Sequence, residues 1–224
     1  MEIMKKIGIT QRVVFDSFSK EVRDTIDHRW YDFGKNFNVK LFPIPNNLQS
    51  ISEYLSVLKL DGFILSGGNN IGSLKIKEFD LNQLLKNDIS IKRNNTEIRI
   101  LSWVIEKNIP IVGVCRGMQF INSYFDGYQV LIDKKKHVNN HHLISIVDDD
   151  FRKFYGDSAD VNSYHNYGIK EAMLGEKLIP TSYSDNEIES FKHCEKSIYG
   201  IMWHPERFQR FRIADINFFK KIFN

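Results

Sequence analysis

Cysteine is scarce in this sequence, long apolar runs are missing, and neither sign of charge dominates. Only two cysteines occur, Cys115 and Cys194, so a disulfide framework is excluded and a reducing compartment is expected. No segment reaches the ~20 consecutive apolar residues of a membrane helix, and the N-terminal apolar stretch is too short for a signal peptide. We therefore expect a cytoplasmic protein with no membrane partner.

The charge balance gives no reason to expect a nucleic-acid partner. The net charge is +3, from 31 basic and 28 acidic residues. The one dense basic run, Lys134 to Lys136, has no glycine or aromatic residues arranged around it to follow a nucleic-acid backbone, and it predicts a solvated loop. A chain of 224 residues with 42% hydrophobic residues predicts one globular domain spanning 1–224.

Apolar runs alternate with amphipathic segments up to about residue 125. Strands that alternate with helices predict an α/β fold of three layers, in which helices flank a mostly parallel central sheet. From 129 to 194 the strand-like pieces are shorter and predict a small antiparallel extension. The predicted strands outside this extension are 5–10, 39–44, 61–68, 109–115 and 198–203, and the predicted helices are 50–60, 96–107, 118–125 and 214–223, with one more within 23–37.

Two finer expectations concern a helix cap and a loop. Ser50, with Glu53 three residues later, predicts a capped start for the helix at 50–60. The polar stretch 69–95 predicts a long loop with one helical turn near 81–85, and long loops in compact domains are often functional.

Cys115 lies in the pattern glycine, any residue, nucleophile, any residue, glycine, between an apolar strand and a helix. The tight turn of such a nucleophile elbow strains the backbone and leaves room only for very small residues two positions before and after it. Gly113 and Gly117 occupy those positions. The helix N-terminus favours the thiolate, which is the attacking form, and Arg116 adds positive charge. The pattern therefore predicts a catalytic cysteine, whereas Cys194 has no such frame and is interpreted as structural.

His204 and Glu206 follow the last predicted strand and are separated by Pro205. A cysteine nucleophile needs an imidazole for proton transfer and a third group to orient that imidazole. Taken alone, this motif is also compatible with a surface turn. Together with the elbow, it predicts a triad of Cys115, His204 and Glu206.

A tetrahedral intermediate needs backbone donors for its oxygen. In an elbow, one donor is the amide of the residue after the nucleophile, here Arg116. The second is expected from Gly67 and Gly68, which end a predicted strand and allow close approach of the backbone. An ordinary glycine turn is the alternative for that pair.

Four motifs in order, LDGFILSGG, IPIVGVCRGMQFIN, VNSYHN and YGIMWHPE, resemble the class I glutamine amidotransferase superfamily, and within it the γ-glutamyl hydrolase branch (peptidase C26-like). The resemblance covers nearly the whole chain and implies a flavodoxin-like version of the predicted fold. It also implies cleavage of a γ-glutamyl amide through a thioester on Cys115, with the Gly68 and Arg116 amides as the oxyanion hole.

The same resemblance implies a substrate pocket. Gln119 and the loop Ser163, Tyr164 and His165 are expected to hold the glutamyl amino and carboxylate groups. Gly67 and Arg93 are expected to contribute to the same pocket. Glu97 matches the glutamate near Arg93 in the family, although Asn94 replaces the usual acidic residue after that arginine.

The predicted partner is a small γ-glutamyl substrate, with a homodimer left open and no cofactor expected. A metal site is not predicted, because no cysteine or acidic residue near His137, His141 and His142 completes a set of ligands. Two alternatives to a γ-glutamyl hydrolase remain: a glutaminase subunit that supplies ammonia to a partner synthetase, and a non-catalytic binding protein of the same fold.

Overall fold

A nine-stranded sheet forms the centre of the molecule, seen in a computed structural model that describes residues 4–74, 80–133 and 137–224. The strands of this sheet are β1 (Lys5–Thr10), β4 (Val39–Ile44), β5 (Gly62–Leu65), β6 (Ile111–Val114), β8 (Val138–Ile146), β9 (Ser158–Tyr164), β11 (Leu178–Ser184), β12 (Glu187–His193) and β13 (Ile198–Ile201). Their order across the sheet is β4-β1-β5-β6-β13-β12-β11-β8-β9.

The first five strands of that order pair in parallel, and the four pairs from β13 to β9 are antiparallel. The predicted mostly parallel sheet with an antiparallel extension is therefore confirmed. Two short pairs lie outside it: the hairpin of β2 (Arg12–Asp16) and β3 (Glu21–Thr25), and the pair of β7 (Val130–Leu131) with β10 (Tyr167–Gly168).

Helices cover both faces of the sheet, because strand side chains alternate between two apolar clusters. In β5, Ile64 packs with the apolar cluster that contains the helices at 29–35 and 213–223. Phe63 and Leu65 pack with the cluster that contains the helices at 51–58, 91–107 and 116–124. The three-layer prediction is thus confirmed. The helices are α1 (Arg29–Lys35), α2 (Ile51–Leu58), α3 (Leu81–Asn87), α4 (Ile91–Lys107), α5 (Arg116–Tyr124), α6 (Asp149–Tyr155) and α7 (Ile213–Phe223), with 3-10 turns at Glu171–Met173 and Pro205–Arg207.

Several local predictions differ from the structure. The segment 23–37 begins inside β3, so its helix is limited to α1. The Ser50 side chain makes no capping hydrogen bond, and α2 starts without the expected capping box. Helix α4 begins at Ile91, which shortens the predicted loop 69–95; Ser90 caps it by accepting from the Arg93 amide.

The composition of the first turns of α4 explains why the sequence predicted a later start for this helix. Its first turns bury polar side chains, among them Arg93, Asn94 and Glu97, so they lack the apolar periodicity that marks an amphipathic helix. The run Lys134 to Lys136, predicted as a solvated loop, lies outside the described residues. Within the described part of the chain, no helix is long and apolar enough to cross a membrane.

Candidate active site

Cys115 lies at the strained turn between β6 and α5, with φ 54° and ψ −107°. A positive φ in a residue other than glycine is costly, and such strain collects at functional sites. Both flanking glycines are required by close packing. A Cβ on Gly113 would lie 2.5 Å from the carbonyl oxygen of Gly117, and a Cβ on Gly117 would overlap the carbonyl oxygen of Leu65. This is the backbone geometry expected of a nucleophile elbow.

His204 and Glu206 lie beyond the end of β13, which neighbours β6 in the sheet. The His204 Nδ1 is 2.7 Å from Glu206 Oε1, and both side chains are buried. Because a carboxylate only accepts, Nδ1 carries the hydrogen and Nε2 is left for the thiol. Burial lowers the pKa of His204, but the charges of Glu206 and of the Cys115 thiolate outweigh it and raise the pKa to about 9. His204 is therefore an imidazolium at neutral pH.

Asn162, in the edge strand β9, fixes the backbone of His204. Its Nδ2 donates to the His204 carbonyl and its Oδ1 accepts from the His204 amide, both at 2.8 Å. Sequence reasoning missed this residue, although it lies in the quoted motif VNSYHN. An asparagine directly before the residues assigned to substrate was the available signal.

Residues 66–68, predicted to bind an oxyanion and called the oxyanion loop below, follow β5 and pass beside the imidazole of His204. A Cβ on Gly67 would lie 2.5 Å from the Cε1 atom of His204, so only glycine fits there. Gly68 has φ +81°, a conformation that favours glycine. The amides at the start of α5, that of Arg116 first, have no partner within the helix and point out of its N-terminus. The structure thus brings Gly67, Gly68 and Arg116 close to Cys115 and His204.

Arg93 supports this loop from beneath. Its guanidinium donates to the carbonyls of Ser66, Gly67 and Gly68 at 2.5, 3.1 and 2.6 Å. The side chain is fully buried and also pairs with Glu97 at 2.9 Å. The expected contact of Arg93 with substrate is therefore not what the structure has, because its donors are used by the loop.

Glu97 is shared by two buried arginines, since it also pairs with the Arg116 side chain. Arg116 donates a further hydrogen bond to Asn94 Oδ1 at 2.6 Å, which gives the unexpected asparagine a role. Burial lowers the pKa of Arg93 to about 9 and lowers that of Arg116 well below its usual range. Both guanidinium groups face the Glu97 carboxylate, so a buried cluster of two basic side chains and one acidic side chain supports residues 66–68 and the start of α5.

A cavity of about 280 Å³ opens over the nucleophile. Gln119, Tyr164 and His165 line it together with Cys115 and His204. The Tyr164 ring packs edge-on against the imidazole, with centroids 5.7 Å apart. Burial lowers the pKa of His165 to about 4, so that ring is neutral at pH 7.

Ser163 differs from the other residues predicted for substrate. It is fully buried, does not line the cavity, and donates its hydroxyl hydrogen to the His137 carbonyl at 2.6 Å. Ser163 lies behind Tyr164 and His165, which are called the substrate loop below, and it positions their backbone.

Two arginines that the sequence did not single out border the triad. Arg12 in β2 and Arg207 line both the cavity over Cys115 and a neighbouring one of about 290 Å³. The Arg207 guanidinium stacks on the Tyr164 ring at 4.6 Å. Arg12 pairs with Asp88 at 3.0 Å and is half exposed. On the other side, Asn70, Asp88, Gln119 and Tyr167 connect the central cavity to one of about 570 Å³.

The model of the peptidase C26 family matches residues 7–206 of this chain. The chain belongs to the peptidase C26 family. This confirms the predicted resemblance and the coarse prediction of a hydrolase. The γ-glutamyl-CDP-amidate hydrolase of Campylobacter jejuni is 34% identical over 207 residues, covering 90% of each chain.

This peptidase C26 member is also similar, at lower identity, to proteins named for glutamine hydrolysis or as glutamine amidotransferases. A glutamine-hydrolysing GMP synthase subunit of Methanococcus maripaludis is 26% identical, covering 80% of this chain and 81% of the relative. A glutamine amidotransferase structure from Thermotoga maritima superposes with a TM-score of 0.65 at 15% identity, covering 98% of this chain and 84% of that one. The last comparison supports the predicted class I glutamine amidotransferase fold.

Proposed function

We propose that this chain is a cysteine hydrolase that cleaves a γ-glutamyl amide bond, with Cys115, His204 and Glu206 as its triad. One observation carries the proposal: Cys115, in a strained backbone turn, lies beside the buried imidazole of His204, whose pKa is raised to about 9. Backbone strain and a buried charge both cost folding free energy, and neither improves the packing of the fold. A binding protein of the same fold has no need of them.

The reaction follows from the atoms that face the cavity. The Cys115 thiolate attacks the γ-carbonyl carbon, and the carbonyl electron pair moves to oxygen, where the amides of Gly68 and Arg116 stabilise it. As the intermediate collapses, the C–N bond breaks and His204 Nε2 gives its proton to the leaving nitrogen. His204 then takes a proton from water, which attacks the thioester and releases glutamate and the thiolate.

The leaving group is proposed to be anionic, as in γ-glutamyl-CDP-amidate. Arg12 and Arg207 present two guanidinium groups beside His204, and such groups suit phosphate oxygens. With that substrate, the products are glutamate and cytidine diphosphoramidate. The resemblance to the Campylobacter jejuni hydrolase supports this substrate, and we propose capsule modification as the process that uses the product.

Two cysteine variants test the nucleophile. Cys115→Ala is expected to lower kcat on γ-glutamyl p-nitroanilide and on γ-glutamyl-CDP-amidate by about 10⁴-fold or more. The matched control, Cys194→Ala, removes an exposed thiol and should leave kcat unchanged. Mass spectrometry of acid-quenched protein should find a γ-glutamyl adduct on Cys115 alone. Activity that survives in Cys115→Ala refutes the assignment.

Substrate choice separates the proposed leaving group from the acyl chemistry. Arg12→Gln should raise KM for γ-glutamyl-CDP-amidate by about tenfold to 100-fold, the value of one charged hydrogen bond. The KM for the uncharged p-nitroanilide should be unchanged.

The second candidate function is a glutaminase subunit, which the similarity to a glutamine-hydrolysing GMP synthase supports. A glutaminase rate that appears only when a synthetase is added would favour this candidate.

A further inference from the structure

A second group of titratable side chains lies behind the substrate loop, away from Cys115. His137, His142 and Glu189 each place one ligand atom within 4.8 Å of those of the other two. His137 and Glu189 are buried and His142 is partly buried. We propose that these three residues bind one zinc ion. The expectation that the histidines lack an acidic partner is wrong, because Glu189 reaches them from β12.

The donor set and its spacing fit a tetrahedral ion. Zinc takes imidazole nitrogen and carboxylate oxygen at about 2.0–2.2 Å, which places neighbouring ligand atoms about 3.3 Å apart. His142 Nε2 lies 3.4 Å from Glu189 Oε2, so this pair has the required separation. All three ligand atoms lie within 4.8 Å of one another, so the third needs to approach by at most about 1.5 Å to reach that spacing.

Glu189 is the strongest sign that a cation belongs here. Its side chain is 1% exposed, yet within the described residues neither carboxylate oxygen makes a hydrogen bond of ordinary geometry. A buried carboxylate without such bonds is costly unless a cation compensates it. Glu187 lies 3.0 Å from His137 Nε2. With neutral imidazoles, as ligation requires, the two carboxylates carry the charge that one divalent ion neutralises.

His165 is placed to complete the coordination. Its Nε2 is buried, has no hydrogen-bond partner among the described residues, and lies 3.8 Å from Glu189 Oε1. Its Nδ1 faces the Tyr167 carbonyl at 3.0 Å, which fixes the ring orientation. The fourth position is therefore open to this ring or to water.

The ion would hold the substrate loop from behind. The backbone carbonyl of His137 accepts from Ser163 Oγ at 2.6 Å and from the His165 amide at 3.2 Å. The backbone of His137, one of the three ligands, is thus hydrogen-bonded to the segment that contains Tyr164 and His165, which line the cavity over Cys115. We class these residues as positioning residues, since none of the three ligands lines that cavity.

Metal binding is measurable without any substrate. Protein freed of metal with a chelator is titrated with Zn²⁺ at pH 7 against a chromophoric competitor, and one equivalent is expected to bind with a rise in Tm. Co²⁺ in place of Zn²⁺ should give the intense visible absorption of a tetrahedral ion. Glu189→Gln keeps the volume of the side chain and should weaken Zn²⁺ affinity by at least about 100-fold.

The matched control is His141→Gln. His141 neighbours His142 but lies on the other face of β8, half exposed and paired with Asp160 at 2.8 Å. Its replacement should leave stoichiometry and affinity unchanged. The proposal is overturned if the wild-type protein binds less than one equivalent, or if Glu189→Gln binds as tightly as His141→Gln. Circular dichroism of the metal-free variants separates lost ligands from lost folding.

Discussion

Replacing Glu206 with glutamine tests how much of the predicted chemistry depends on the third member of the triad. The carboxylate lies 2.7 Å from His204 Nδ1, and both side chains are 2% exposed. Glutamine has nearly the same volume but carries no charge. Its NH₂ group can also face Nδ1, which then accepts and leaves the ring hydrogen on Nε2 alone, so that the ring is a neutral imidazole of the other tautomer.

The magnitude follows from the electrostatics of His204. Burial lowers its pKa, while Glu206 first and Cys115 second raise it, from 6.5 to about 9 overall. That rise corresponds to about 3 kcal/mol of preference for the imidazolium. Loss of most of this preference lowers kcat by about 10²-fold, and the wrong tautomer extends the loss towards about 10⁴-fold.

The assay is kcat on γ-glutamyl p-nitroanilide across about pH 5 to 10. The raised pKa keeps His204 protonated up to about pH 9, so the wild-type alkaline limb is expected there. In Glu206→Gln the ring loses its proton at lower pH, and the limb moves down. Glu53→Gln removes the same charge from an exposed helix position and should change neither quantity. A Glu206→Gln variant with an unmoved limb and kcat within about threefold of wild type would refute the reasoning.

Three further variants test the support of the site. Arg93→Met should lower the free energy of unfolding in urea by about 3–5 kcal/mol, because it leaves a buried carboxylate with one partner fewer. Asn162→Ala removes both hydrogen bonds to the His204 backbone; kcat should fall by about 10²-fold with KM unchanged, and an unchanged kcat contradicts the clamp. Gly117→Ala should give no native protein by circular dichroism, whereas Gly34→Ala, whose nearest contact is 3.4 Å, should fold normally.

The proximity of Cys115, His204 and Gly67 was predictable from the sequence because each of these residues follows a strand. The three strands β6, β13 and β5 are neighbours with parallel pairing. Carboxyl ends of adjacent parallel strands meet at one edge of the sheet. A motif at each end therefore places its residues beside the others.

The support of the site was not predictable in the same way. Arg93 is an ordinary polar residue in the sequence, and only the packing of α4 beneath residues 66–68 shows that its guanidinium holds the loop. Glu189 lies in β12, whereas His142 lies in β8 and His137 directly precedes β8; β11, which pairs with both strands, brings the three residues together. Such contacts depend on register and on helix placement, which spacing along the chain does not determine.

The packing of Gly113 and Gly117 has a consequence for how such an enzyme can change. The distance from the thiol to the oxyanion loop is set by backbone lying directly on backbone, from the turn of α5 to the carbonyl of Leu65. The atoms nearest to the position of a Gly117 Cβ are the carbonyl oxygen and carbon of Leu65, so this contact does not depend on the side chains that line the cavity. Mutation can reshape the walls of the cavity freely, but the acyl-transfer geometry varies only if the glycines themselves are lost.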